Sequence, residues 1–294
     1  MTTFLTIVFF GIITGAVIAP AAVGFTLQFS ATNVLNIAFG SQLSVGVFVA
    51  YALDSHGVSI WLSAVVSIAA SVAASFGLNR LLIQPFKRRG TSLFGMIVVT
   101  MGIDLVVLYV IEWIWGPSPL NYRLFQQSTV TIDTIPIPML DVIIVGISLA
   151  VMVLTQVLVR RTKLGKAMRA TAANEHLARC SGIKVDRVVD AAWALSGALA
   201  GLAGIILALN DGGFSFTIGD SYLITIIAAA ILGGIGDAYG AVVGAVLVGM
   251  MTQVGSELIS PVYAQVWAFT ALVIALILRP SGLFSRTAIL RGVA

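Results

Sequence analysis

Long apolar runs, each ended by a short polar stretch, recur from one end of the chain to the other. The first is Phe4 to Phe29, and Pro20 inside it predicts a kink or break. The next stretch, Ser30 to Gln42, is apolar enough to stay at membrane depth. It nevertheless carries Asn33, Asn36, Ser41 and Gln42, so a broken helix is expected over Asn33 to Gln42. Apolar sequence resumes to Leu53, and Asp54-Ser55-His56-Gly57 reads as a turn. Further runs are Ile60 to Ile83, Leu93 to Trp115, Leu140 to Val159 and Val188 to Leu209. Tyr222 to Leu232 leads into a second break, GGIGDAYG from Gly233 to Gly240, and Ala241 to Ile259 and Val262 to Leu278 complete the series. Gly116 to Pro138 is a polar loop whose threonines and β-branched residues suit a small hairpin. An apolar run of about 20 residues is the length of a bilayer-crossing helix. The pattern therefore predicts an all-α, polytopic membrane protein with about 8–10 transmembrane helices, about nine in this reading. Residues 1–294 read as one transmembrane domain.

The longest polar insert is the basic loop of residues 160–187, containing TKLGKAMRATAANEHLARCSGI. Its middle is rich in helix formers, Ala167, Met168, Ala170, Ala172, Ala173, Leu177 and Ala178. Asn174 with Glu175 suits the start of a second short turn, and Gly182 suits its end. A helix this short needs something to rest on. One reading lays it on lipid headgroups. The other docks it into a groove on a cytosolic partner, with Met168 and the alanines in contact and the arginines as a rim.

Composition sharpens the class. The chain is 59% hydrophobic and 10% charged, with mean hydropathy +1.05, too little charge to cover a soluble surface. A pI near 9.5 suggests nucleic acid until the basic residues are placed. With Arg80 to Arg89, the basic loop and the tail on one side, all sixteen lysines and arginines except Arg123 share that side. That side is expected to be the cytoplasm. Asp54, Asp133, Asp211, Asp220 and Glu257 then fall outside, and Trp113 and Trp115 sit at an aromatic belt. No nucleic-acid partner is expected. Met1-Thr2-Thr3-Phe4 lacks a positive n-region, so the first span is expected to be retained.

No catalytic constellation is present: there is no phosphate-binding loop and no zinc spacing, and the lone Cys180 forms no internal disulfide. His56 and His176 fall on opposite sides in this topology, so no metal site is expected. Energy for active transport must come from another subunit or an ion gradient. The broken stretches read either as a transport pathway or as close glycine packing, since Gly236, Gly240 and Gly244, like Gly197 and Gly201, are four apart. Asp104 lies inside a span, where an acid is costly and needs a partner. It is a proton or sodium site, or a structural contact to backbone or a polar helix. Asp186 and Asp190 are placed to neutralise Lys184 or Arg187.

RTKLGKAMRATAANEHLARCSGI resembles the cytoplasmic coupling loop of branched-chain amino acid ABC permeases, the LivH-type inner-membrane subunits. The spacing from Ala178 to Gly182 suits the permease signature of ABC importers, with His176 where that signature usually has Glu. Gly24-Phe25-Thr26-Leu27 and Asn36-Ile37-Ala38-Phe39-Gly40 are similar to the family's "GLTL … NFAHG" segment. Ile231 to Gly236, followed by Gly240 to Gly244, is similar to its "LGGLG … GAVVG" segment. The likeness covers nearly the whole chain. Around Phe39 and Ser41 the family usually has His and Glu, and Pro20 replaces an aliphatic residue.

The resemblance implies a permease subunit of an ABC importer in a bacterial or archaeal inner membrane. It would import branched-chain or aliphatic amino acids, or small polar solutes such as urea and amides. The candidate pathway residues are Thr26, Gln28, Asn33, Asn36, Gly40, Ser41, Gln42, Gly233, Gly234 and Gly236. Leu164, Gly165, Lys166, Met168, Arg169, Ala178 and Gly182 are the candidates for ATPase coupling. Implied partners are a second permease subunit in a homo- or heterodimer, two cytosolic ATP-binding subunits and an extracytoplasmic solute-binding protein, besides membrane lipid. The chain itself would bind no cofactor; ATP and Mg would sit on the partner subunits. Two alternatives remain at this point, an ion-gradient-driven secondary transporter using Asp104 and a passive channel for urea or small amides.

Overall fold

The computed structural model describes residues 2–123, 129–132, 135–234, 236–258, 260, 263–278 and 282–283. Asp133, Arg279, Arg286 and Arg291 lie outside the described residues. The helices are α1 (Thr2–Thr32), α2 (Phe39–Ser55), α3 (Ile60–Leu78), α4 (Gln84–Arg88), α5 (Leu93–Trp115), α6 (Met139–Arg161), α7 (Lys163–Ala173), α8 (Glu175–Cys180), α9 (Val185–Asp211), α10 (Ile218–Gly233), α11 (Ala238–Leu258) and α12 (Ala264–Leu278). Strands β1 (Thr129–Ile132) and β2 (Ile135–Pro138) pair antiparallel, Ile132 opposite Ile135, as the expected hairpin. Among the described residues six helical stretches are long and apolar enough to cross a membrane; α10 and α12 are shorter and also apolar. The chain is an all-α polytopic membrane protein.

Two boundaries differ from the sequence reading. The first helix runs unbroken through Pro20 to Thr32. The irregular stretch after it is narrower than expected, residues 33–38, so Gly40, Ser41 and Gln42 lie inside α2. A π turn, Asn79–Ile83, interrupts the helical stretch that ends at Arg88. Pro85 explains it: proline offers no N–H to the preceding turn and crowds it. The backbone widens upstream, and the Gln84 N–H reaches the Asn79 carbonyl.

The chain divides into two compact units. One holds α1 up to Thr26, the β-hairpin, α6 up to Leu154, α10 from Ile224, α11 and α12. Its seams are glycine contacts. A methyl on Gly15 would lie 2.5 Å from the Val246 Cα, and one on Gly244 would lie 2.1 Å from the Ala229 carbonyl. Backbones approach this closely only where side chains are absent.

The other unit spans Leu27–Arg123 and Thr155–Leu223. α9 is its buried axis, packed on α2 and α3. α3 turns Ser63, Ser67, Ser71 and Ser75 inward, one every four residues, with Asn79 next in the row. Gly197 and Gly201 of α9 meet Ser75 and Ser71, and Gly46 of α2 meets Gly201. Ser67 donates to the Gly46 carbonyl, and Ser75 donates to the Trp193 carbonyl at 2.7 Å. Small residues and hydroxyls replace the hydrophobic driving force that is missing between helices in lipid.

The two ends of this unit differ in charge. At one end Arg123 N–H donates to Asp54 Oδ2 at 2.8 Å, and Phe48, Trp115, Tyr122 and Phe214 cluster. Trp113 is exposed as a belt residue should be, whereas Trp115 packs on Phe48 at 5.2 Å. Burial raises the Tyr122 phenol, with Asp54 adding to the effect, and its hydroxyl donates to the Val47 carbonyl. At the other end lie α4, α7, α8 and the start of α9, with most of the lysines and arginines.

Candidate functional site

The irregular stretch 33–38 leaves peptide groups without helical partners at membrane depth, where each must be satisfied by protein. Asn33 closes α1 in a left-handed conformation, φ 55°, its N–H bonding the Phe29 carbonyl. Asn tolerates that region where most residues do not. α5 then supplies two acceptors one turn apart. Thr100 Oγ1 accepts from the Ile37 N–H at 3.2 Å, and Asp104 Oδ1 accepts from the Ser41 N–H at 3.2 Å. The Ser41 hydroxyl also donates to the Asp104 carboxylate. Ala38, the residue before α2, has no side chain that can cap it. Asp104 therefore acts as an N-cap from a neighbouring helix, and its charge suits the positive end of the α2 dipole.

Asp220 was expected in an outer loop. It lies instead on the first turn of α10, where a methyl on Gly40 would lie 3.0 Å from its Oδ1. Gly219 beside it touches α2: a methyl there would lie 2.0 Å from the Gly40 carbonyl, and its N–H bonds Ser44 Oγ at 3.2 Å.

Three candidate pathway residues come together next to this cap. Asn36 donates to Gln28 Oε1 at 2.9 Å, and Gln28 donates to Gln42 Oε1 at 3.4 Å. All three are buried, yet Gln42 Nε2 and Asn36 Oδ1 have no partner, and neither has the Thr26 hydroxyl. Ser41 and Gln42 also line a cavity of about 270 Å³ with Val45, Ala74, Leu78 and Val107. Asn33 is exposed and Gly40 is a packing contact. Gly233, Gly234 and Gly236 are in the other unit. Gly233 meets Gly240 backbone to backbone, a methyl there lying 2.0 Å from the Gly240 carbonyl, and Gly234 and Gly236 take positive φ in the turn to α11. That close approach is what the packing reading of the break expects.

The basic loop forms two helices. Thr162 caps α7 by accepting from the Gly165 N–H at 3.1 Å, and Asn174 caps α8 by accepting from the Leu177 N–H at 2.9 Å. Gly182, φ 80°, ends α8: the Gly182 and Ile183 N–H groups bond the Arg179 and Ala178 carbonyls, both at 3.0 Å. Met168 and Ala178 do not face outward as docking contacts. Both are buried with Val188, Val189 and Trp193, and Leu164 packs on the same cluster. The amphipathic pattern of α7 turns its apolar stripe toward its own chain. Gly165 lies against Val159 of α6, and Arg169 donates to the Val159 carbonyl. The outer face is left to Lys166, His176, the exposed Leu177 and Cys180.

Ion pairs tie these helices to α4 and α9. Glu175 pairs with Lys87 and Arg179, both at 3.0 Å, and Asp186 pairs with Arg179 at 3.0 Å and Arg88 at 3.6 Å. The Lys87 hydrogen bond, helped by Arg179, holds the Glu175 carboxyl below its ordinary range. Glu175, aided by Asp186, raises the Arg179 guanidinium further. Asp186 thus pairs with arginines other than the expected Arg187. Asp190 does not neutralise Lys184 or Arg187; it accepts from Asn79 at 2.8 Å and Gln84 at 2.9 Å, fastening the π turn to α9. Among the described residues no group of three or more His, Cys, Asp and Glu could hold a metal.

Sequence reasoning missed Thr100, the serine row of α3 and the π turn. The four-residue spacing of the serines and Pro85 were the available signals; nothing local marks Thr100 as a cap.

Residues 7–278 match the family described as branched-chain amino acid transport system / permease component. The chain is 28% identical to the high-affinity branched-chain amino acid transport system permease protein LivH of Salmonella typhimurium, over 96% of each chain. It is 31% identical to a probable branched-chain amino acid transport permease protein LivH of Methanocaldococcus jannaschii, over 89% of this chain and 86% of that one. Its fold resembles a chain of PsaBC from Streptococcus pneumoniae in complex with Fab, with TM-score 0.51 at 14% identity, covering 92% and 91% of the two chains.

Proposed function

The chain belongs to the family of branched-chain amino acid transport system permease components, and from that premise we propose that it is one membrane subunit of an ATP-driven importer of branched-chain aliphatic amino acids. Urea and small amides are the related solutes that the same buried amides would suit. The basic end faces the cytoplasm of a bacterial or archaeal cell, and the Asp54–Arg123 end faces out, where a solute-binding protein delivers substrate. A second permease subunit completes the pathway. Two cytosolic ATPases bind ATP and Mg and supply the energy.

The observation that carries the coupling role is the α7–α8 pair. Its inner face is fixed to α4, α6 and α9, while Lys166, His176 and Leu177 remain outward. A push on that face would reach α6 through Arg169 and the π turn through Lys87. Gln28, Asn36 and Gln42 supply the pathway's buried polar groups.

The capping of α2 by Asp104 supports a structural role for that acid over the secondary-transport reading. Reconstituted with its partners and binding protein, the subunit is expected to take up leucine only with ATP. Leucine uptake by the subunit alone, driven by an ion gradient, would overturn the proposal.

A further inference from the structure

A pocket of about 300 Å³ opens at the basic end between α4, α8 and the first turns of α9. Its volume is at the lower end of the range for small-ligand sites, about 300–1,000 Å³. The ion pairs described above form part of its wall. The wall as a whole has three properties.

Part of the wall is apolar. Ile83, Val185 and Val189 line it and are otherwise buried. Charges of both signs alternate around it, Lys87, Arg88 and Arg179 against Glu175 and Asp186. Asn79 lines it too, fully buried, with its Oδ1 left without a partner while its Nδ2 holds Asp190. A buried acceptor without a donor is costly and points to something missing from the pocket.

A polyanion suits this wall poorly, because Glu175 and Asp186 would repel it. A purely apolar ligand would leave Asn79 unpaired. A zwitterion with an aliphatic side chain answers all three properties. Its ammonium has three donors for Asn79 Oδ1 and the carboxylates, its carboxylate meets Lys87 or Arg179, and its side chain covers the apolar wall. The ion pairs already present are exposed, so exchanging a partner costs little.

We propose that this pocket binds a free aliphatic α-amino acid from the cytoplasmic side and thereby slows import when the internal pool is high. The choice of ligand and side rests on the transport reading above. The slowing follows from position: a ligand touching α4, α8 and α9 together clamps the helices that must move for coupling.

The test uses the whole transporter with its partner subunits, in nanodiscs without binding protein, and radiolabelled leucine as the probe. Saturable binding is expected. Leucinamide and isocaproate, each lacking one charge, should bind about tenfold more weakly, the loss of one charged hydrogen bond. Asn79→Leu and Lys87→Gln should weaken leucine binding by about the same factor. Lys87→Gln is at the exposed rim and serves if Asn79→Leu does not fold. In vesicles, leucine preloaded inside should slow ATP-driven uptake by the wild type, and should lower uptake by a smaller fraction in Lys87→Gln, each measured against its own uptake without internal leucine. Absence of saturable binding, or binding unchanged in the folded variants, overturns the proposal. If leucine uptake persists in the same preparation, the transport reading stands without it. Saturable, Lys87-dependent binding in a preparation that takes up no leucine would leave this site standing and count against the transport reading.

Discussion

Asp104 is an acid in the middle of an apolar helix, and its partners decide what it does. It accepts from the backbone and hydroxyl of Ser41, so removing the carboxylate leaves the α2 terminus uncapped inside protein. Loss of a charged cap of this kind costs about 1–3 kcal/mol. Asp104→Ala is expected to lower the melting temperature of the detergent-solubilised protein. Asp104→Asn, which keeps an acceptor, should lower it less and retain ATP-driven uptake. Dependence of uptake on a sodium or proton gradient that vanishes in Asp104→Asn would assign it the ion-coupling role instead. The sequence showed that the acid was costly and needed a partner. It could not show Ser41, because the two are 63 positions apart and only the packing of α5 on α2 joins them.

α7 and α8 were legible as short helices, down to Asn174 as a start and Gly182 as a stop. Which face they bury was misread, since helix propensity and composition do not say where the neighbouring helices stand. Met168 under α7 makes Met168→Ala a packing mutation, expected to cost about 2–5 kcal/mol and to expose α7 amides to hydrogen exchange. A Met168 on a partner-facing surface would leave exchange unchanged.

The Glu175 ion pairs give these helices a pH dependence. Glu175 faces Lys87 and Arg179, and Asp186 faces Arg179 and Arg88. The Glu175 carboxyl is depressed, so its contribution is present above the ordinary glutamate value of about 4.3 and is lost as pH falls through its lower folded value. Hydrogen-exchange protection of α8 should therefore hold across neutral pH and fail only in acid below that range. In Glu175→Gln it should be weaker at neutral pH and largely independent of this acid step.

For the whole molecule the question is what the outward face of α7–α8 meets. Leu177→Glu changes an exposed side chain, so the fold and melting temperature should be nearly unchanged. Co-purification of the ATPase subunits and ATP-driven uptake should both drop, about tenfold or more for a central apolar contact. Normal co-purification and uptake in Leu177→Glu would place the ATPase contact elsewhere.

Membrane class, the approximate number of helices and the grouping of basic segments at one end of their unit followed from the sequence alone. Apolar run length and charge placement act locally and need no neighbour. The family was legible too, from motifs spread along the chain. The tertiary structure alone decided that Pro20 stays within an unbroken helix, that Asp220 starts α10 beside Gly40 of α2, that Asp190 fastens the π turn, and that Met168 points inward. Each of these depends on which side chain a distant helix presents, and a buried polar or bulky group takes whatever partner packing brings to it.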